Sequence, residues 1–118
     1  MNMGTEGRKQ AWIYCAIDAP EDIHEQLKKQ YMQLYSYAEQ MGFEPAGSSS
    51  DLGGKPLWQR SGFGHFIQAV REGRADTLLI ISRNCLSRST MQLAQLQVVV
   101  AEWNLEVFSP MEGNIQFL

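Results

Sequence analysis

The sequence predicts an α/β protein, a three-layer sandwich built on a mostly parallel sheet of four to five strands. Three observations predict it. Apolar runs of strand length alternate along the chain with stretches whose apolar residues recur at helical spacing. The run at 11–17 is continuously apolar, as in a strand that is covered on both faces. The chain has 118 residues, enough for one domain with one core.

The first strand leads directly into the first helix. The run 11–17 ends at an acid, Asp18, and apolar residues then recur every three or four positions. This spacing predicts a helix over about 21–41. Asp18 or Asp22 can cap its start, and Gly42 suits its end. The apolar stripe of this helix consists of Ile23, Leu27, Tyr31, Leu34, Ala38 and Met41.

A second strand and a loop are predicted before the second helix. Residues 43–47 suit a short strand, which Pro45 restricts to an edge of the sheet or to a bulge. Serines, glycines and a proline make 48–56 a mobile loop. The second helix is predicted over about 59–73, and its inner face carries Phe63, Phe66, Ile67 and Val70.

Two further strands flank the third helix. Residues 75–82 form the clearest strand in the chain. The polar loop 83–90 ends in Ser89 or Thr90, either of which can cap a helix. The last strand is predicted at 105–109. The third helix carries Met91, Leu93, Leu96, Val100 and Trp103.

Length and composition predict a single core. We see no internal repeat and no domain boundary, so we expect a core at 11–110 between a disordered N-terminal tail, 1–10, and a C-terminal tail, 111–118. No apolar run approaches the ~20 residues that a membrane-spanning helix needs, and the first residues lack the apolar centre of a secretion signal. We therefore expect a cytoplasmic location and no membrane partner.

Charge and cysteine content exclude several classes of site. The net charge of -3 and the pI of about 5.3 predict that this chain alone binds DNA poorly, because affinity for DNA depends on neutralising phosphates. Cys15 and Cys85 have neither the number nor the spacing of a disulfide framework or a metal site, and only His24 and His65 could add to them. No metal and no cofactor is expected.

The carboxyl ends of the predicted strands are where a ligand should bind. Asp18, the loop 48–56 and the loop 83–90 follow those ends. The common phosphate motifs do not fit. A Walker loop needs glycine where Ser49 stands and serine or threonine where Pro56 stands. No GxGxxG follows the first strand, and the third strand ends without the acid that a response-regulator receiver carries.

Short segments, spread over nearly the whole chain at 11–110, match the motifs of one protein family in their order and spacing. The segments are YCAIDA at 14–19, DLGG at 51–54, RSGF at 60–63, GRAD at 73–76 and LSR at 86–88. Along the first helix, the matching positions are Gln30, Leu34, Tyr37, Ala38 and Gly42. Together they resemble the catalytic domain of serine recombinases, the resolvase and invertase family.

The resemblance implies a resolvase fold and points to the active site of that family. In the family, a serine after the first strand attacks a DNA phosphodiester, and a cluster of arginines neutralises the developing charge. In this chain the serine position is Asp18, and the arginine position two residues earlier is Ala16. The Asp-Arg pair of the later segment is replaced by Asn84 and Cys85.

The expected function follows from these departures. The family arginines at Arg60 and Arg88 are retained, but a carboxylate at position 18 repels a phosphate and cannot form the phosphoserine link. We therefore expect a resolvase-family domain associated with site-specific DNA recombination that lacks strand cleavage and acts through protein interaction. Asp18, Arg60 and Arg88 are the site residues that the resemblance implies.

Two other functions stay open. One is an active recombinase or nuclease that uses an unrecognised nucleophile, and the other is an anion-binding module that uses Arg60 and Arg88. Asp18 could instead be a simple helix N-cap, and the two arginines could be solvated or paired with it. The expected partners are DNA in a longer parent protein, bound weakly by this chain alone, and a related recombinase subunit. We expect a weak homodimer or none.

Overall fold

The computed structural model describes residues 7–18, 22–52 and 54–117. The strands are β1 (Gln10–Ile17), β2 (Glu44–Leu52), β3 (Thr77–Leu79), β4 (Glu106–Ser109) and β5 (Gly113–Asn114), and the helices are α1 (Ile23–Met41), α2 (Ser61–Arg71) and α3 (Thr90–Glu102). The strands form one sheet in the order β2-β1-β3-β4-β5. All neighbours are parallel except β4 and β5. The predicted α/β class and mostly parallel sheet are confirmed.

The sheet is covered by α1 on one face and by α2 and α3 on the other. Along β1, Ile13 and Cys15 pack with Leu34 of α1, whereas Tyr14 and Ala16 pack with the side chains of α2 and α3. Both faces of β1 are therefore buried, as its continuous apolar run predicts. None of the described helices combines the length and the apolar content that a membrane span requires.

β2 is longer than predicted, and it includes residues 48–52, which the composition assigned to a mobile loop. Gly47 lies beneath the ring of Trp12, where a Cβ atom would collide with the indole. The Ser49 hydroxyl donates to the Gly62 carbonyl oxygen (2.6 Å) and accepts from the indole N–H of Trp12 (2.9 Å). The prediction of a loop is wrong for 48–52, because these residues pair with β1 and the side-chain contacts of Ser49 hold them against β1 and α2. β2 does lie at the edge of the sheet, as its proline predicts.

The end of the chain contributes to the core. β5 pairs with β4, and Ile115 and Phe117 are buried among the side chains of α2 and α3. We expected a tail at 111–118, and residues 113–117 instead continue the sheet and the core. Most of the expected N-terminal tail, 1–10, lies outside the described residues.

The start of α1 differs from the prediction. Asp22 occupies the N-cap position in a left-handed backbone conformation (φ 54°, ψ 36°), and its side chain makes no capping hydrogen bond. The prediction that Asp18 caps this helix is therefore wrong. The expected start at residue 21 lies outside the described residues. Gly42 ends the helix with a left-handed backbone (φ 74°), as predicted.

Candidate functional site

The sheet is open between β1 and β3 at its carboxyl end. These strands pair only over 11–13 and 77–79, although β1 continues to Ile17. Beyond the pairing, the Gln30 side chain satisfies the backbone of Ala16: Nε2 donates to the carbonyl oxygen and Oε1 accepts from the N–H, both at 3.2 Å. The chain leaves β1 toward β2 and leaves β3 toward β4, in opposite directions. Open α/β sheets bind ligands at such a point.

A cavity of about 470 Å³, here called the pocket, lies at this open end. A smaller cavity of about 120 Å³ shares Asp18, Arg60 and Arg88 with it, so the structure brings the three predicted site residues together. With Lys55, three cationic side chains and one carboxylate line the pocket, in a chain of net charge -3. The other lining residues are Gly54, Pro56, Asn84, Ser87 and Gln92.

Arg60 is held in the pocket wall mainly by backbone carbonyl groups. Its Nε–H donates to the Lys55 carbonyl oxygen (2.9 Å), and Nη1 donates to the Cys85 carbonyl oxygen (2.7 Å). Nη1 also makes a longer contact, 3.4 Å, with the Tyr14 hydroxyl. Over the described ranges, no carboxylate forms an ion pair with Arg60. The guanidinium is therefore oriented but not neutralised, which suits an incoming anion.

Asp51 joins the end of β2 to the start of α2. Its Oδ1 accepts from the backbone N–H of Gly62 (2.8 Å), and its Oδ2 accepts from the backbone N–H of Phe63 (2.9 Å). The Tyr14 hydroxyl donates to the same Oδ2 (2.7 Å). A carboxylate from β2 thus caps α2, whose own N-cap side chain does not. Burial raises the pKa of the Tyr14 hydroxyl far above its ordinary range, so Tyr14 remains a neutral donor.

Asp18 and Arg88 form the outer rim of the pocket. Asp18 Oδ2 lies 3.9 Å from Arg88 Nη2, and their side chains are 74% and 79% exposed. The sequence allowed Asp18 to pair with Arg60 or with Arg88, and the structure shows the pair with Arg88. An exposed pair at this separation contributes little to stability. α3 begins directly beyond Arg88, and the Ser89 hydroxyl caps it by accepting from the Gln92 N–H (3.3 Å), as predicted.

Hydroxyl groups also line the two cavities. Ser87 is buried in the pocket wall, and its Oγ accepts from the backbone N–H of Ser89 (2.9 Å). Ser82 lines the smaller cavity. In the part of the chain that is described, no histidine lines either cavity. No group of three His, Cys, Asp or Glu side chains there could hold a metal ion.

Several residues of the site carried no predicted role. Tyr14 and Asp51 belong to the segments of the resemblance, but their hydrogen bond joins positions 37 residues apart. No local pattern signals a contact of that kind. Lys55 occupies the lysine position of the Walker motif that does not fit, so it had no predicted role either. Gln30 sits one turn before the buried part of α1, and its bond to Ala16 depends on the divergence of β1 and β3.

Comparisons with known proteins agree with this fold. The chain is similar to the N-terminal catalytic domain of TP901-1 integrase (25% identity, TM-score 0.71, covering 89% of this chain and 79% of that one). Its fold is similar to that of the C-terminal catalytic domain of ISC1926 TnpA, an IS607-like serine recombinase (19%, TM-score 0.71, 84% and 66%). The fold is also similar to that of a resolvase family site-specific recombinase from Streptococcus pneumoniae (12%, TM-score 0.73, 90% and 74%).

Sequence comparison identifies the family directly. No curated protein sequence matches the chain. The profile of the family described as "Resolvase, N terminal domain" matches residues 19–116, most of the length. The chain therefore belongs to the resolvase N-terminal domain family and is related to site-specific recombinases.

Proposed function

We propose that this chain is a resolvase-family domain that has lost DNA strand cleavage and acts in site-specific recombination through protein interaction. The observation that carries the proposal is the carboxylate of Asp18 at the rim of the cationic pocket, 3.9 Å from Arg88. This residue stands where the resemblance places the nucleophilic serine. A carboxylate there repels a phosphodiester and provides no hydroxyl for a phosphoserine link.

The cationic groups around that position are also reduced. Ala16 and Cys85 stand where the resemblance places arginines, and Cys85 offers Arg60 only its carbonyl oxygen. Loss of one group that stabilises developing charge typically costs ~100- to 1000-fold in rate. The family profile matches residues 19–116, so position 18 and β1 lie outside the match. The assignment of Asp18 to the serine position therefore rests on the resemblance of the short segments.

Protein interaction is supported by the outer surface of α1. Tyr31, Met32 and Tyr35 are 37%, 58% and 38% exposed, and the two tyrosine rings lie 6.0 Å apart. Aromatic and methionine side chains are enriched at protein interfaces. The net charge of -3 favours a protein partner over direct binding of DNA by this chain alone. DNA would be reached through a longer parent protein or through a related recombinase subunit.

The proposal is tested by looking for a covalent protein–DNA adduct. End-labelled duplex DNA is incubated with the chain, with Asp18→Ser and with Ser87→Ala, and the products are separated on a denaturing gel beside an active serine recombinase. We expect no adduct with the unaltered chain. An adduct that disappears in Ser87→Ala would overturn the proposal and establish Ser87 as the nucleophile. An adduct that persists in Ser87→Ala would equally overturn it and direct the search to Ser82.

Self-association is tested separately. Sedimentation velocity at micromolar concentrations is expected to give the mass of a monomer. A stable dimer that Met32→Ser dissociates would identify the α1 surface as a self-interaction surface, and the proposed partner would then be a second copy.

A second candidate function is an anion-binding module, favoured by the three cationic side chains against one carboxylate in the pocket. Sulfate titration followed by NMR should move the amide signals of residues 54–60 and 84–92. Asp18→Asn should tighten binding, because a negative charge is removed from the rim, and Arg88→Ala should weaken it. Signals that do not move up to 100-fold excess over the protein would eliminate this candidate.

A further inference from the structure

The turn between β4 and β5, residues 109–112, holds the segment that leads from β3 to the pocket. β3 ends at Leu79, so the chain from Ile81 to Arg83 has no partner strand in the sheet. Two side chains of the turn, Ser109 and Glu112, form hydrogen bonds with this segment instead.

Ser109 links the turn to the chain leaving β3. Its side chain is fully buried, and its hydroxyl donates to the Ile81 carbonyl oxygen at 2.6 Å. Ser109 Oγ also accepts from the backbone N–H groups of Met111 (3.0 Å) and Glu112 (3.2 Å). One hydroxyl therefore sets the shape of the turn and its position relative to Ile81.

Glu112 makes a two-point contact with Arg83. Its Oε2 accepts from the backbone N–H of Arg83 (3.0 Å), and its Oε1 accepts from the Arg83 side chain Nε (2.9 Å). The bond from the backbone N–H and the neighbouring guanidinium lower the pKa of this carboxyl below its ordinary range, so it is charged near neutral pH. A charged acceptor with two donors is among the stronger contacts at a partly exposed site.

Arg83 begins a short 3-10 helix, Arg83–Cys85, that leads into the pocket. The last residue of this helix, Cys85, presents the carbonyl oxygen that accepts from Arg60 Nη1 at 2.7 Å. Asn84 and Arg88, in the same stretch, line the pocket. A chain of contacts thus runs from Glu112 through Arg83 and Cys85 to the Arg60 guanidinium.

We propose that Ser109 and Glu112 are positioning residues that set the orientation of Arg60 and the anion affinity of the pocket from the β4–β5 turn. Neither residue lines the pocket, so their effect passes through the 3-10 helix. The affinity part rests on the anion-binding candidate above, whereas the orientation part stands on geometry alone.

The test compares Glu112→Ala, Glu112→Gln and a matched control, Glu106→Gln, in the full chain. Glu106 lies on β4, where it pairs with Lys9 and accepts from Asn114 Nδ2 (3.2 Å), and it lines neither cavity. The measurements are the NMR signal of the Arg60 Nε–H, which bonds the Lys55 carbonyl, and the sulfate dissociation constant. A denaturant melt of each variant verifies that it is folded, and the Ser109→Ala variant provides a second route to the same perturbation.

We expect Glu112→Ala to shift the Arg60 Nε–H signal and to weaken sulfate binding by roughly 3- to 10-fold, the size seen when a mutation acts through an intermediate contact. Glu112→Gln should give a signal shift and a sulfate affinity between those of Glu112→Ala and the unaltered chain, because its amide oxygen can still accept from the Arg83 N–H. Glu106→Gln should change neither quantity. An unmoved Arg60 signal in folded Glu112→Ala overturns the proposal. If the Arg60 signal moves in Glu112→Ala but the unaltered chain binds no sulfate, the positioning role of Glu112 stands and only the anion-binding candidate is eliminated.

Discussion

The hydrogen-bonded network of Tyr14, Asp51 and Arg60, here called the wall, reaches the pocket at Arg60. It differs from the rim at Asp18 and Arg88 in burial and in hydrogen bonding. In the wall, Asp51 accepts from three donors and Arg60 donates to two carbonyl oxygens at 2.7–2.9 Å. At the rim, the two side chains are more than 70% exposed and their closest approach is 3.9 Å.

This difference teaches which part of the site the fold depends on. The wall connects β1, β2 and α2, so its residues contribute to stability whatever the pocket binds. The rim contributes little to stability, so a residue there can change without cost to the fold. An acid such as Asp18, at the position to which the resemblance assigns the serine, is therefore compatible with the surrounding architecture.

The largest effect that would test this contrast is expected from Asp51→Ala. It removes the cap of α2 and leaves the Tyr14 hydroxyl without its acceptor, and together these losses should cost about 3 kcal/mol of unfolding free energy. Urea denaturation measures the loss. Asp51→Asn, which keeps one acceptor oxygen, should lose less. A loss below about 1 kcal/mol in Asp51→Ala would mean that the wall contributes no more to the unfolding free energy than the rim does.

A close second is a pair of glycine substitutions in α2. A Cβ at Gly62 would lie 2.6 Å from Asp51 Oδ2 and would also collide with the Ser50 carbonyl oxygen, whereas nothing lies within 4 Å of a Cβ at Gly64. We expect Gly62→Ala to destabilise by about 2 kcal/mol. Gly64→Ala should stabilise by about 0.5–1 kcal/mol through helix propensity. Thermal melts of the two variants compare them, and equal midpoints would contradict the close approach of Asp51 to α2.

A smaller effect is expected from replacing each arginine by lysine. Arg60→Lys cannot reproduce bonds from Nε and Nη1 to two separate carbonyl groups and should cost about 1–2 kcal/mol. Arg88→Lys keeps the rim charge and should leave the unfolding free energy unchanged. Guanidinium chloride denaturation of both variants sharpens the contrast, which disappears if the two lysine variants are equally stable.

The smallest effect is expected at Asp18 itself. Asp18→Ala removes only an exposed carboxylate and its 3.9 Å contact, so its melting temperature should match that of the unaltered chain at pH 7. Differential scanning calorimetry would detect a departure. A clear loss of stability would place Asp18 among the residues that hold the fold, and the division into wall and rim would fail.

The sequence predicted the elements whose hydrophobic pattern extends over many residues. It failed where a contact between distant residues decides the structure. The continuous run of β1 and the stripe of α1 sufficed for the strand and the helix. The serines of β2 looked like a loop because nothing local reveals that Trp12 and Gly62 hold Ser49. β5 has only two residues, too few for any periodic signal.

The residues around the pocket were also predicted only in part, because contacts between distant residues give no local pattern. Asp18, Arg60 and Arg88 follow from a motif, and the structure places them around one pocket. The cap that Asp51 provides to α2 comes from another element, 11 and 12 residues away from its two partners. No capping rule based on neighbouring residues finds it, and the same rules assigned to Asp18 a cap that it does not form.

The Gln30 contact gives the two halves of β1 different dynamics. Residues 11–13 are paired with a strand on both sides, whereas Ala16 has β2 on one side and a single glutamine side chain on the other. Rotation of that one side chain frees the amide without disturbing the core. Hydrogen exchange at Ala16 should then proceed by local fluctuation, while Ile13 waits for global unfolding. The end of β1, next to position 18, can thus open locally while the paired part of the sheet keeps its hydrogen bonds.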